Sequence, residues 1–139
     1  MTLVEVLLGI TILAMICTIS FSKINLSKYK VNSFIKQMTS DIRYVRRVNK
    51  LGNIKVYIVF IERNNCKGYI MEENGIEMKS VFLPRNIDLK CSTSKILFDR
   101  QGGFYMGGTT ISVGKDGDYT EVTIVPVSGR VLVKEGTYK

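Results

Sequence analysis

The chain of 139 residues contains no histidine and no tryptophan, and only three cysteines. Without histidine there is no Ser-His or Cys-His pair for nucleophilic catalysis, and the usual zinc sites lose their commonest nitrogen ligand. A phosphate loop is missing as well. At Gly114-Lys115, the nearest approach to one, Thr109 stands where the first glycine belongs, Asp116 follows the lysine, and the surroundings read as strand. Asp116, Asp118 and Glu121 gather carboxylates, but a calcium loop needs more oxygen ligands in register, so this stretch reads as a polar hairpin turn. The chain is therefore expected to be no enzyme and to hold no metal or cofactor. Basic residues are absent before Lys23. A secretory signal peptide needs a positive start and a small-residue cleavage site, and neither accompanies the opening run.

What the amino terminus does have is MTLVEVLLGITILAMICTISFSK, almost unbroken apolar sequence with a single carboxylate, Glu5. About 20 helical residues cross a bilayer's hydrocarbon core, so residues 1–22 are expected to form a transmembrane and assembly helix. An acidic group at mid-membrane costs about 2.5–3.5 kcal/mol, which makes Glu5 a functional candidate in need of a partner. In the first helical turn it would face the positive end of the helix dipole, and a neighbouring chain's amino terminus could supply a full opposite charge. Such a pairing would set the stagger between subunits.

These residues carry a resemblance. TLVEVLLGITILAMI is similar to the processed amino terminus of type IV pilins and type II secretion pseudopilins, in which a prepilin peptidase cuts before an N-methylated residue and Glu occupies the fifth mature position. The resemblance implies that Met1 is the processed and methylated amino terminus and Glu5 the assembly glutamate. Met1 stands where that family usually has Phe, and no leader precedes it, so the numbering starts either from the cleaved form or from a misassigned gene start. Lys23, Lys28, Lys30 and Lys36 follow the apolar run and by the positive-inside rule would hold the larger part in the cytoplasm. The resemblance implies the reverse: a single-pass protein of the cytoplasmic membrane with an extracytoplasmic head, entering a pilus or pseudopilus. An extracytoplasmic head would permit a Cys66–Cys91 disulfide, against the alternative of two buried free thiols.

Beyond the run, Val31, Phe34, Ile35, Met38, Ile42, Val45 and Val48 recur at intervals of three and four. That spacing predicts an amphipathic helix over 23–52, continuing the first as one spine, with Arg43, Arg46, Arg47 and Lys50 on the opposite surface. Gly52-Asn53 ends it. The remainder, 53–139, reads as a β-rich head. Ile54 to Ile61 is β-branched and aromatic, Arg63-Asn64-Asn65 reads as a turn, and Asn74-Gly75 between two apolar runs is the strongest hairpin signal. Shorter strands are expected at 87–91, 95–99, 109–113, 119–125 and 130–134. The expected fold class is α+β, a long spine packed on an antiparallel sheet, the pilin fold.

SDIRYVRRVNKLGNIKVYIVF, Phe98-Asp99-Arg100-Gln101-Gly102-Gly103 and Ser128-Gly129-Arg130-Val131 resemble the helix end, first strand and carboxyl end of the GspH/FimT minor pseudopilins. The implied partners are other pilin subunits, the prepilin peptidase and the membrane. The implied function is a structural subunit that initiates, caps or enters a type IV pilus or a secretion or competence pseudopilus. The alternative is a DNA-binding minor pilin. Twenty basic against 12 acidic residues give a formal charge of +8, and the candidate DNA contacts are Arg130, Lys134 and Lys139 in GRVLVKEGTYK, joined by Lys95, Arg100 and Lys115. A charged edge strand guarded against unwanted pairing accounts for the same tail, and no aromatic series beyond Tyr138 offers stacking.

Overall fold

The computed structural model describes residues 2–22, 26–115 and 117–137, with side-chain surroundings for 2–17, 28–115 and 117–136. Met1, Lys139 and Asp116 lie outside the described residues.

Two helices come first, α1 (Leu3–Ser22) and α2 (Leu26–Lys50). Eight strands follow: β1 (Val56–Arg63), β2 (Cys66–Glu73), β3 (Ile76–Phe82), β4 (Asp88–Cys91), β5 (Lys95–Ile96), β6 (Thr109–Lys115), β7 (Asp118–Ile124) and β8 (Val131–Thr137). They form two four-stranded sheets, in the orders β3-β2-β1-β5 and β4-β6-β7-β8, with antiparallel pairing throughout. We call these sheet A and sheet B. Turn chemistry fixes the hairpins of sheet A. Asn64 and Asn65, at φ 53° and 62°, turn β1 into β2, and Asn74-Gly75, at 55° and 80°, turns β2 into β3, the left-handed pair that a tight hairpin demands.

The stripe on α2 finds its partners in both sheets. Phe34, Ile35, Met38, Ile42 and Val45 are buried, and α2 touches β1 of sheet A and β6, β7 and β8 of sheet B. Val56, Ile58 and Tyr69 meet it from sheet A, and Ile111, Val113, Val122 and Ile124 from sheet B, in one continuous core. Polar pins supplement the packing. Asn49, fully buried, donates through Nδ2 to the carbonyls of Asn53 (2.8 Å) and Val56 (2.9 Å) and accepts from the Phe98 amide (3.0 Å), tying the helix end to both the first strand and the loop after β5.

Two expectations are overturned. The helical part is not a single long spine on one sheet: the described residues form two helices, and their strands divide into two sheets. The strands themselves fall near their expected positions, but β4 and β5, adjacent in sequence, pair into different sheets, with β6 and β1 respectively. Apolar patterning alone does not distinguish those pairings. The membrane-spanning helix is the second correction: among the described residues no helix is long and apolar enough to cross a membrane. The single-pass placement fails with it.

Candidate functional site

Glu5 has a local partner. Its Oε2 accepts a hydrogen bond from the Thr2 backbone amide at 2.8 Å, while the Glu5 amide donates to the Thr2 carbonyl at 3.1 Å. Thr2-Leu3-Val4-Glu5 has the Thr-x-x-Glu spacing of a capping box, in which the fourth residue's carboxylate closes back on the first residue's amide. A carboxylate in the first turn is also stabilised by the positive end of the helix dipole. Sequence reasoning looked for an intermolecular partner and missed this one, although the spacing itself was the signal.

Around that cap, α1 is apolar on every side. Leu3, Val4, Leu8, Leu13 and Met15 are 56–78% exposed, and at 100° per residue they and the residues that follow fall on every side of the helix. Val6, Leu7, Ile10, Ile12 and Ile16 are exposed with them. A helix apolar all round is stable where it is enclosed on all sides. Fully burying a large apolar side chain stabilises by roughly 1.5–3 kcal/mol, so enclosing the exposed part of these ten is worth on the order of 10–20 kcal/mol gross, the same order as the about 4–15 kcal/mol that association costs.

A second assembly of side chains lies where α2 ends. Arg46 Nε donates to the Gly102 carbonyl at 3.0 Å. Gly102 (φ 87°) and Gly129 (φ 58°) both hold left-handed backbone, and a Cβ on Gly129 would collide with the Gly102 carbonyl and come within 2.9 Å of Arg46 Nε. A Cβ on Gly102 would meet Lys50 Cδ at 2.8 Å. The two loops can close on the helix only as glycine. Asp99 shapes the first of them, its Oδ1 accepting from the amides of Gln101 and Gly103, each at 2.8 Å.

Five of the six proposed DNA contacts lie among the described residues, on different elements of the head. Arg100 and Arg130, both exposed, belong to backbone segments that meet at Gly102 and Gly129. Lys134 stands on β8 opposite Glu121 of β7, so the strand pairing sets an acid beside it. Lys95 sits on β5 of sheet A with its Nζ 3.5 Å from the centre of the Tyr57 ring, and the Tyr57 hydroxyl, hydrogen-bonded to Glu72, is pushed above its ordinary pKa. Lys115 closes β6 beside a shallow pocket of about 160 Å³ that also borders Asp88, Lys90, Asp118 and Tyr119. There the Lys67 ammonium, 2.7 Å from Asp88, holds the Asp88 carboxyl below its usual range.

The cysteines are free thiols. Cys66 opens β2 in sheet A and Cys91 closes β4 in sheet B, where its sulfur lies 3.9 Å from Thr109 Oγ1; the considered bridge is absent. Among the described residues no group of three or more Cys, Asp or Glu is placed to hold a metal ion. No protein-family model, curated protein or solved structure matches this chain.

Proposed function

We propose that the protein is a structural subunit of a helical filament, a minor pilin or pseudopilin, held in the assembly by α1 and presenting the β-rich head outward. The observation that carries this reading is the all-round exposure of apolar side chains on α1. It supports burial among neighbouring helices as the end state, because these side chains stand exposed in the single chain. Among the described residues the cap engages Oε2 of Glu5, and the carboxylate's charge at the start of α1 is in keeping with the assembly role that the TLVE resemblance implies.

Placing a charge on α1 tests the proposal. Ile12→Lys is expected to keep the head folded and to lose copurification with sheared filaments, measured by immunoblot of the pelleted fraction. Incorporation at the unsubstituted level would reject α1 as the assembly element. A DNA-binding role is the second reading, favoured by the convergence of the Arg100 and Arg130 segments. It predicts a log–log salt slope of about −0.9 per phosphate neutralised, hence near −2 for two cations, and affinity lost in Arg100→Gln with Arg130→Gln.

A further inference from the structure

The loops clamped by Arg46 carry an apolar patch that the assembly helix does not explain. Val127 is 91% exposed, Tyr105 71% and Met106 58%. They belong to two loops in contact: the Phe104 amide donates to the Pro126 carbonyl at 2.8 Å, and a Cβ on Gly108 would lie 2.9 Å from Pro126 Cγ. Val127 in turn abuts Gly103, whose Cβ position is 3.3 Å from the Val127 carbonyl. Four cations flank the patch: Arg46 and Lys50 against Gly102, Arg100 two residues before it, and Arg130 directly after Gly129. Among the described residues no ion pair involves any of them. Asp99, in the same loop, already accepts two backbone amides.

We infer that this pole of the head docks an acidic protein surface with an apolar centre. The charge imbalance selects the sign of the partner, and it argues against a second copy, because the chain itself carries a formal +8. The apolar centre selects a protein over a nucleic acid. Phosphate contacts need cations alone, whereas an apolar core within a charged rim is the anatomy of a protein interface, with aromatic residues and Arg as its strongest contributors. The glycine clamp holds both loops in one conformation, so little ordering remains to be done on binding. The inference stands independently of the role of α1.

The test uses the full chain dispersed in nonionic detergent and three fluorescent probes: a peptide alternating glutamate with leucine, poly-L-glutamate, and a duplex oligonucleotide, each followed by anisotropy at low and at physiological salt. The Glu/Leu peptide is expected to bind at least about tenfold more tightly than either other probe. Tyr105→Ser with Val127→Ser should weaken the peptide about tenfold or more and leave the circular dichroism spectrum unchanged, since both side chains are exposed. Arg100→Gln with Arg130→Gln should weaken it and flatten its salt dependence. If poly-L-glutamate or DNA binds as well as the peptide, or the apolar substitutions change nothing, the surface is a plain polyanion site and the inference falls. Absence of peptide binding at low salt overturns it too.

Discussion

Asp41→Asn is the most informative single substitution in the head. Asp41 is a buried carboxylate on α2. Its Oδ2 accepts from the Tyr69 hydroxyl at 2.7 Å, Lys79 Nζ reaches both oxygens at 2.8 and 2.9 Å, and Gln37 Nε2 donates to Oδ1 at 3.1 Å. One residue therefore holds α2 to β2 and β3 together. Asparagine keeps the shape but has one acceptor oxygen, and its amide NH₂ must face one of the donors. Removing one partner of a buried ion pair costs about 3–5 kcal/mol. Lys79, with 35% of its side chain exposed, can turn its ammonium to water and recover part of that, which lowers the expectation to about 2–3 kcal/mol. For a chain of this size that is a fall in Tm on the order of 10 °C, read by circular dichroism, with urea unfolding as the equilibrium measurement. Asp41→Asn combined with Lys79→Met should cost clearly less than the sum of the two single changes, because each single change strands the other's partner. A loss below about 1 kcal/mol, or strict additivity in the double variant, would show that apolar packing alone holds sheet A to the helix.

Gly129→Ala should lose about 2–4 kcal/mol, combining the left-handed backbone penalty with the collision against the Gly102 carbonyl, and an unchanged urea midpoint would refute the clamp. Tyr69 is fully buried, and burial followed by its hydrogen bond to Asp41 pushes its hydroxyl above the ordinary pKa. Since the unfolded chain releases that proton first, stability should be intact below about pH 10 and fall as pH rises beyond it; a Tyr69→Phe variant with the same alkaline slope would remove Tyr69 as the cause. At Glu5, Gln keeps an acceptor for the Thr2 amide but lacks the charge, so Glu5→Gln should retain α1 helicity and lose filament incorporation, whereas Glu5→Ala loses both. Normal incorporation of Glu5→Gln would leave the cap as the residue's whole role.

Where a feature depends on neighbours in sequence, it was legible. The three-and-four spacing of Phe34, Ile35, Met38, Ile42 and Val45 named the buried face of α2, and Asn74-Gly75 named its hairpin, because helix periodicity and turn chemistry are local. Sheet membership was not. Ile96 of β5 pairs with Ile58, 38 positions earlier, and Cys91 of β4 with Ile111; both short strands are apolar enough for either sheet. The site divides along the same line. The apolar character of α1 was plain, but the cations gathered where α2 ends were sorted by sequence proximity into a helix face and a tail. The structure instead sets Arg46 against Gly102 and Gly129, across 56 residues in the Arg46–Gly102 bond. Lys134, which looked equivalent to Arg130 four residues away, is paired in the sheet with Glu121, a neighbour that only strand register reveals.

The sharing of one helical stripe between two sheets has a consequence for the order in which the chain becomes a protein. During synthesis α2 and the β1-β2-β3 meander emerge first, and their contacts are close in sequence, the fast kind to form. At that moment the half of α2 destined for β6, β7 and β8 is still bare, and it stays so until the last hairpin has left the ribosome. The nascent chain must carry Met38, Ile42 and Val45 only partly covered alongside an unenclosed α1. A truncation anywhere before β8 would leave a collapsed but sticky half-head, so that completing sheet B is what covers the second half of the α2 stripe.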